Sequence, residues 1–212
     1  NIFQFDPLRR WHLLDWVFSK ILNDVYTNAP LEFLKTGKSS FYMPGMVDNE
    51  MLNPEAPGTL DFIGLNYYSR MHVKGRLNPE EPFVFDTREQ DIMTDMGYPL
   101  YAEGFYRALK TISDVGVPIY VTENGLADDK DTVRPLFIER YLYALNQALK
   151  ERIDIRGYFY WSLMDNFEWA EGYSMKFGLY EVNLETQERK LRKGSQPFID
   201  MVTKRGADER GY

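Results

Sequence analysis

Residues 118–125 of this 212-residue chain have the sequence PIYVTENG, which predicts a short buried strand that ends in a turn. Two further segments share its apolar, β-branched and aromatic character, DFIGLNYY at residues 61–68 and GYFYWSL at residues 157–163. Apolar residues without alternation are typical of strands covered on both faces, as in a parallel sheet. Helical periodicity fills the two intervals, at residues 99–115 and 132–151. The order strand, helix, strand, helix, strand predicts an α/β fold with right-handed crossovers.

The remaining segments are predicted to be helical at both ends of the chain and irregular between them. Residues 8–34 have a helical pattern that is interrupted at residues 28–30, and residues 195–204 form a closing helix. Residues 36–60 and 70–98 contain Gly, Pro and polar residues and are predicted to be long loops. Loops of this length are uncommon in compact domains unless they serve a function.

The third strand is followed by two segments that are possible extensions of the sheet, at residues 177–182 and 187–193. The second central helix is expected to begin with Asp131 or Thr132 as its N-cap. Three parallel strands cannot close a barrel, which needs eight strands and roughly 250 residues. The pattern alone leaves two alternatives, an open sheet and part of a barrel.

The composition excludes several classes of function. The net charge is −7 and the acidic residues are dispersed, which argues against a nucleic-acid partner because phosphates require a basic face. No apolar run approaches the ~20 residues that span a bilayer, so no membrane partner is expected. Cysteine is absent and only two histidines are present, so neither a metal nor another cofactor is expected. The aromatic content of 16% suits either sugar binding or a core of large side chains.

Glu123 is the first candidate for chemistry, because it follows the apolar strand directly and precedes Asn124 and Gly125. A carboxylate at the C-terminal end of a buried parallel strand is held rigidly at the open mouth of the sheet. Catalytic groups in barrels commonly occupy that position. The alternative is a charged strand end beside a hairpin turn, since Asn-Gly is a strong hairpin signal.

The other two strand ends also carry candidate residues. Asn66 and Tyr68 end the first strand, where a tyrosine hydroxyl can hydrogen-bond a neighbouring carboxylate, although both tyrosines of that motif can equally be core residues. Residues 161–173 combine aromatic rings with carboxylates, which suits either a sugar site or an anchored surface loop. Because the C-terminal ends of parallel strands meet at one edge of a sheet, we expect the three sites to converge.

Three stretches together resemble glycoside hydrolase family 1, the family of the β-glucosidases. They are GLNYYS at residues 64–69, YVTENG at residues 120–125 and WSLMDNFEWAEGYSMKFGLYEV at residues 161–182, and the resemblance extends over residues 58–195. It implies a (β/α)8 TIM barrel, of which this chain holds the C-terminal half, from about the end of strand 5 through helix 8. Residues 1–212 are then expected to form a single partial barrel domain.

The resemblance also implies the roles of individual residues. Glu123 is expected to be the nucleophile that forms a glycosyl-enzyme intermediate, and Tyr68 is expected to hydrogen-bond it. The residues expected to bind substrate are Asn66, Trp161, Glu168, Trp169 and Phe177. Among these, Trp161 is expected to stack beneath the sugar, whereas Glu168 and Trp169 are expected to bind the hydroxyls far from the scissile bond.

One required group is missing from the chain. Retaining hydrolysis needs two carboxylates about 5–5.5 Å apart, and the acid/base of the family belongs to an Asn-Glu-Pro motif that this sequence lacks. Near matches at residues 49–51 and 53–55 lie in a predicted loop and are not assigned this role. The expected partner is therefore an N-terminal half-barrel that carries the acid/base, and the chain alone is expected to be nearly inert.

The expected function is hydrolysis of a terminal unphosphorylated β-D-glucoside or β-D-galactoside by double displacement. A carboxylate at Glu168 repels a phosphate placed against it, so the substrate is expected to be an unphosphorylated small-molecule β-glycoside. Two alternatives stay open, a non-catalytic sugar-binding half-barrel and an inactive fragment. Mass analysis of the functional material distinguishes the enzyme from the binding protein. A partner bearing Asn-Glu-Pro favours the enzyme, whereas a homo-oligomer favours the binding protein.

Overall fold

The computed structural model describes residues 1–43 and 47–208. It contains ten strands: β1 (Gln4–Pro7), β2 (Lys38–Met43), β3 (Val47–Leu52), β4 (Ile63–Asn66), β5 (Arg70–Gly75), β6 (Phe83–Asp86), β7 (Ile119–Asn124), β8 (Ile155–Tyr160), β9 (Tyr180–Val182) and β10 (Arg189–Leu191). The α-helices are α1 (Leu13–Asn23), α2 (Ala29–Thr36), α3 (Ala102–Ser113), α4 (Arg134–Lys150) and α5 (Gln196–Asp208). Short helical turns occur at Asp24–Asn28, Trp169–Glu171 and Lys193–Ser195. None of the described helices is both long and apolar enough to cross a membrane.

The central sheet has the order β4-β7-β8, and all its strands are parallel. Helices α3 and α4 connect β4 to β7 and β7 to β8, so the predicted alternation of strands and helices is confirmed. The two segments predicted as possible extensions of the sheet do contain strands, β9 and β10, but these pair antiparallel with each other in a separate two-stranded sheet. The third strand was predicted too late in the chain, because β8 ends at Tyr160 and residues 161–163 already belong to the following loop.

A second sheet has the order β1-β5-β6, with β1 parallel to β5 and β6 antiparallel to it. The prediction of a loop over residues 70–98 was therefore wrong for its first part. In β5 the polar residues Arg70, His72 and Lys74 alternate with apolar ones, and each binds a carboxylate rather than facing water alone. The prediction of a loop over residues 36–60 was also wrong, because β2 and β3 form an antiparallel hairpin there.

The helical segment that follows β1 is not interrupted at residues 28–30. A single π-helical turn, Asp24–Asn28, joins α1 to α2, and Pro30 lies in the first turn of α2. Proline lacks the amide hydrogen that would bond to the preceding turn, and this missing bond coincides with the π-helical turn directly before α2. The predicted interruption was wrong for this reason.

The outer edge of β1 is covered by side chains of this helical segment. Asn23 accepts a hydrogen bond from the backbone nitrogen of Phe5 (3.1 Å) and donates one to its carbonyl oxygen (2.7 Å). Thr27 donates to the carbonyl oxygen of Phe3 (2.8 Å). The side-chain amide of Asn23 thus makes the two hydrogen bonds to the Phe5 backbone that a neighbouring strand would otherwise make.

Asp15 joins the start of α1 to β5. Its side chain is fully buried and accepts hydrogen bonds from the backbone nitrogens of Arg9 (2.9 Å) and Gly75 (2.8 Å) and from the Arg9 guanidinium (2.6 Å). Burial by itself raises the pKa of a carboxyl group, but these hydrogen bonds outweigh it and hold the pKa of Asp15 well below its ordinary value.

Asp15→Asn is expected to lower the free energy of unfolding by about 2 kcal/mol at neutral pH, because buried donors lose their charged acceptor. A lowered pKa in the folded state stabilises the fold above the unfolded-state value of about 3.9, and this contribution is lost as the pH falls further. The variant should therefore lose less stability than the parent between about pH 5 and pH 2. Urea unfolding over this pH range measures both effects. Asp61→Asn, at an exposed carboxylate, is the control, and equal acid sensitivity in both variants would contradict the assignment.

The hydrophobic core lies between the central sheet and helices α3 and α4. Phe105, Leu109, Phe137 and Tyr141 from the helices pack against Val121 of β7, and all of these are buried. The rings of Phe137 and Tyr141 stack with their centroids 4.0 Å apart. This side of the sheet is therefore a closed layer of the kind expected outside a barrel wall.

The opposite face of the central sheet is open. Tyr120 and Thr122 lie on it, since a side chain at Gly157 would meet the Tyr120 ring and one at Gly64 would meet Thr122. Phe62 contacts Tyr120 edge-to-face and is 54% exposed. Phe159 of β8, 58% exposed, belongs to the same apolar surface. A barrel wall buries this face in its interior, so the sheet has the form of part of a barrel with its lumen side uncovered.

Candidate active site

Glu123 is the penultimate residue of β7, and its carboxylate is half-buried at the C-terminal end of the sheet. The hydroxyl of Tyr68 donates a hydrogen bond of 2.7 Å to Oε2 of Glu123. Burial, followed by the hydrogen bond with Glu123, raises the pKa of Tyr68 above its ordinary range. The Tyr68 hydroxyl therefore stays protonated and acts as a hydrogen-bond donor to Glu123.

The contacts of the two residues after Glu123 explain why they are asparagine and glycine. The Asn124 side chain is buried, donates to the carbonyl oxygen of Tyr67 (2.6 Å) and accepts from the hydroxyl of Tyr158 (2.7 Å). At Gly125 a Cβ atom would lie 1.8 Å from the carbonyl oxygen of Trp161, so only glycine fits. The alternative of a hairpin turn is wrong, because β7 pairs in parallel with both of its neighbours.

A cavity of about 390 Å3 lies over these strand ends and is called the nucleophile pocket here. Six of the seven predicted site residues line it: Asn66, Tyr68, Glu123, Glu168, Trp169 and Phe177. The rings of Tyr68 and Phe177 meet edge-to-face with their centroids 6.2 Å apart. The loop after β8 and the ends of β4 and β7 therefore converge on one cavity.

Trp161 does not line this cavity. It follows β8 directly, and its backbone nitrogen donates to the carbonyl oxygen of Asn124 (3.0 Å). The backbone of Trp161 thus fixes the distance between the ends of β7 and β8. Its expected stacking beneath a sugar stays a prediction.

Glu168 lines the nucleophile pocket and has one carboxylate oxygen without a hydrogen-bond partner among the described residues. This oxygen, Oε2, is buried. A buried carboxylate oxygen without a donor is costly, and a ligand hydroxyl placed there would satisfy it. The neighbouring Trp169 is 84% exposed, so its ring is free to lie along a ligand.

The loop that carries Glu168 is held by a buried ion pair. Asp165 accepts from Arg192 (2.7 Å) and from the backbone nitrogen of Gly178 (2.9 Å). A side chain at Gly178 would meet the backbone nitrogen of Asp165 at 2.2 Å. These contacts anchor both ends of the loop, so Glu168 and Phe177 keep a fixed separation.

Tyr98 is a pocket residue that the sequence prediction missed. Its ring lies 6.3 Å from that of Tyr68, and burial followed by the nearby charge of Glu168 raises its pKa to about 12. It belongs to the long segment between β6 and α3, where neither strand nor helix periodicity gives a signal. A tyrosine that remains protonated beside Glu168 is a potential donor to a ligand.

Arg134 connects the nucleophile segment to the loop after β8. Its guanidinium is fully buried and binds Asp131 (2.9 Å) and the hydroxyl of Tyr160 (2.9 Å). It also donates to backbone carbonyl oxygens of both segments, those of Leu126, Asp128, Lys176 and Phe177. One buried side chain therefore holds the two halves of the site together.

The predicted helix cap of α4 was wrong. Neither Asp131 nor Thr132 caps it; Oδ2 of Asp128 accepts from the backbone nitrogens of Val133 (2.7 Å) and Arg134 (2.8 Å). Asp131 instead binds the Arg134 guanidinium, because a buried cation requires a carboxylate partner.

Only two carboxylates, Glu123 and Glu168, line the nucleophile pocket among the described residues. The near matches to Asn-Glu-Pro do not reach the nucleophile pocket, since Glu50 belongs to β3 and Glu55 to an exposed turn.

The described structure gives no sign of a metal site around its buried histidine. His72 is buried in β5 against Asp91, and burial together with Arg70 and Arg88 lowers its pKa. No group of three or more potential metal-binding side chains occurs in the described part of the chain.

Parallel strands that bring carboxylates and aromatic rings to one cavity at their C-terminal ends define half of a (β/α)8 barrel with a candidate active site. The sequence model of glycosyl hydrolase family 1 matches residues 8–207. The chain belongs to this family.

Two characterised relatives show the extent of the similarity. The chain is 38% identical over 168 residues to a β-galactosidase of Pyrococcus woesei, a match that covers 71% of this chain and 33% of the relative. It is 34% identical over 196 residues to β-glucosidase A of Thermotoga maritima, with 87% and 42% covered. The chain therefore spans less than half the length of these relatives.

Solved structures confirm the partial-barrel fold. A family 1 β-glucosidase from Thermotoga maritima superposes with a TM-score of 0.80 at 28% identity, covering 96% of this chain and 49% of that structure. A β-glycosidase from Pyrococcus horikoshii gives 0.76 at 34% identity, covering 90% and 44%. The Thermotoga enzyme has also been solved in complex with glucoimidazole, again covered over 49% of its length.

Proposed function

We propose that this chain supplies the nucleophile half of a retaining β-glycosidase that hydrolyses terminal unphosphorylated β-D-glucosides or β-D-galactosides. The observation that carries the proposal is the Glu123 side chain, hydrogen-bonded to Tyr68 at 2.7 Å, in one cavity with Glu168 and Trp169. Glu123 attacks the anomeric carbon, the aglycone leaves with the shared electron pair, and water later hydrolyses the resulting ester. The names of the relatives, β-glucosidase and β-galactosidase, support the substrate class.

The proposed sugar contacts follow from the unsatisfied groups of the nucleophile pocket. Glu168, with a buried free oxygen, accepts hydrogen bonds from sugar hydroxyls, and Trp169 covers one face of the ring. Asn66, at the end of β4, lines the same cavity as Glu123 and binds a hydroxyl near the reacting carbon, while Phe177 closes the wall. A carboxylate at Glu168 disfavours a phosphorylated sugar by charge repulsion.

The acid/base belongs to an N-terminal half-barrel that binds this chain in the proposed complete enzyme. The open apolar face of Phe62, Tyr120 and Phe159 supports this partner, because a barrel lumen would bury it. The solved relatives extend over about twice the length that this chain covers. We further propose that residues 1–212 form one partial barrel domain within that enzyme.

A mechanism-based inactivator tests the nucleophile without the missing acid. Dinitrophenolate leaves without being protonated, so 2,4-dinitrophenyl 2-deoxy-2-fluoro-β-D-glucoside requires only the attacking carboxylate. The fluorine destabilises the cationic transition state of the second step, and the ester accumulates. We expect a mass increase of one fluoroglucosyl group on the chain, located by peptide mapping at Glu123 and absent from Glu123→Gln.

Two other outcomes would overturn the proposal. A label on a different carboxylate removes Glu123 from the role of nucleophile. Binding of glucoimidazole without any labelling favours the non-catalytic sugar-binding half-barrel, the second candidate function, which rests on the absence of a further carboxylate lining the described nucleophile pocket. Glu139→Gln, at an exposed glutamate of α4, is the matched control and should label as the parent does.

A further inference from the structure

A second cavity adjoins the nucleophile pocket beyond the C-terminal end of β1. It has a volume of about 450 Å3, within the range of small-molecule sites. Arg10, Trp16, Arg70 and Arg88 line it together with one carboxylate, Asp6, and it is called the arginine pocket here. Arg70 lines both cavities, so they share a wall.

The arginine pocket lies beside one end of the nucleophile pocket. The loop after β8 contributes Glu168 and Trp169 to the opposite end, whereas β1 and Arg70 form the near end. Ile2, just before β1, donates to the carbonyl oxygen of Asn66 at the end of β4, and β7 and then β8 follow β4 across the central sheet. A molecule held by its sugar at Glu168 therefore has the arginine pocket on the far side of Glu123.

The arginine pocket has an excess of positive charge, although the chain as a whole carries −7. Arg70 is balanced by Asp6 (3.2 Å) and Asp91 (3.4 Å). Arg88 donates to the carbonyl oxygens of Pro7 (2.6 Å) and Leu8 (3.1 Å), which fix its position without neutralising it.

Arg10 adds a cation that is free to meet a ligand. Its guanidinium lies 5.1 Å from the Trp11 ring, and no carboxylate of the described residues pairs with it. The Trp16 indole nitrogen donates to the carbonyl oxygen of Arg10 (2.7 Å), which fixes the segment and leaves the Trp16 ring half exposed. An aromatic face beside unneutralised guanidinium groups suits an aryl or sugar unit that bears a carboxylate.

We propose that the arginine pocket binds the aglycone of the substrate and selects one that carries an anionic group. This inference rests on the proposed function, since it concerns the leaving-group side of the same site. The sugar occupies the nucleophile pocket, and the anionic group of the aglycone meets Arg10 and Arg88 while its ring contacts Trp16. The retained sugar is uncharged, so the charge selection applies to the leaving group alone.

Matched pairs of substrates test the proposal in the complete barrel formed by this chain and an N-terminal half. The 4-carboxyphenyl and 4′-carboxybiphenyl β-D-glucosides are compared with their methyl esters, so that two lengths of aglycone are covered. The measured quantity is the ratio of kcat/KM for the acid to kcat/KM for its ester. We expect Arg10→Gln to lower this ratio about fivefold for at least one length, and added salt to lower it in the parent enzyme.

Arg140→Gln removes the same charge from the outer face of α4 and is the control; its ratio should equal that of the parent. An unchanged ratio in Arg10→Gln for both lengths overturns the arginine pocket as an anion site. An equal fall in Arg140→Gln also overturns it, because the effect is then that of net charge. If no glucoside is hydrolysed and no label forms at Glu123, the proposed function itself fails, so the two failures are distinct.

Discussion

Replacing Glu123 by glutamine in the complete barrel is expected to lower kcat/KM for an aryl β-D-glucoside by at least about 10^4-fold. The amide is nearly the same size as the carboxylate and can keep the contact with Tyr68, so the pocket stays formed. It cannot attack the anomeric carbon, and the double displacement stops at its first step. Initial rates with a chromogenic glucoside measure the loss.

Rescue of a Glu123 variant by added azide tests the role of nucleophile independently. In Glu123→Ala the space of the carboxylate is empty, and added azide can attack the anomeric carbon from that side while an activated phenolate leaves. We expect the product to be the α-glycosyl azide, identified by its anomeric proton coupling. A β-configured product, or near-normal hydrolysis by a clean preparation of Glu123→Gln, would falsify the assignment. Glu139→Gln, on the outer surface of α4, should keep the parent rate.

Arg134→Met is expected to be the most destabilising single substitution among the buried charges described above, at about 3–5 kcal/mol of unfolding free energy. The substitution keeps the volume of the side chain but leaves Asp131 and four backbone carbonyl oxygens without their donor. Burial disfavours the charged form of Arg134, yet Tyr160 and Asp131 outweigh it and raise the pKa of the guanidinium. Urea unfolding of the purified chain measures the change.

Arg156→Met is the matched control, because Arg156 is exposed and pairs with the exposed Asp154 at 2.9 Å. Exposed ion pairs contribute little, so no measurable change is expected. Equal stability of the two variants would show that the buried contacts of Arg134 are offset by its desolvation. Arg134→Lys should recover only part of the loss, since an ammonium group cannot reach acceptors on both segments.

The central sheet was predictable because its strands have an unbroken apolar pattern. Residues such as Val121 and Leu65 are buried against helices whose periodicity is equally clear. The candidate site was predictable for the same reason, since the ends of parallel strands meet and their polar residues must converge. The hydrogen bond between Tyr68 and Glu123 could be predicted only from the resemblance to the family. The sequence pattern alone gave no reason to prefer a Tyr68 in the site over a Tyr68 in the core.

The sequence-based predictions were wrong or incomplete for segments whose local structure is determined by tertiary contacts. Strand β5 alternates Arg, His and Lys with apolar residues, and only its carboxylate partners on other segments make that pattern compatible with burial. The cap of α4 is Asp128, five residues before the first capped nitrogen, because Arg134 recruits the nearer Asp131. Tyr98 reaches the site from an irregular segment, and no periodicity predicts the path of such a segment.

The pairing of Asn23 with Phe5 limits how copies of this chain can associate. Head-to-tail polymerisation through backbone pairing needs two open strand margins on every molecule, one to receive and one to offer. At Phe5 a side-chain amide already fills the receiving position. A strand of another chain that pairs with β1 at this position must therefore first displace the amide of Asn23.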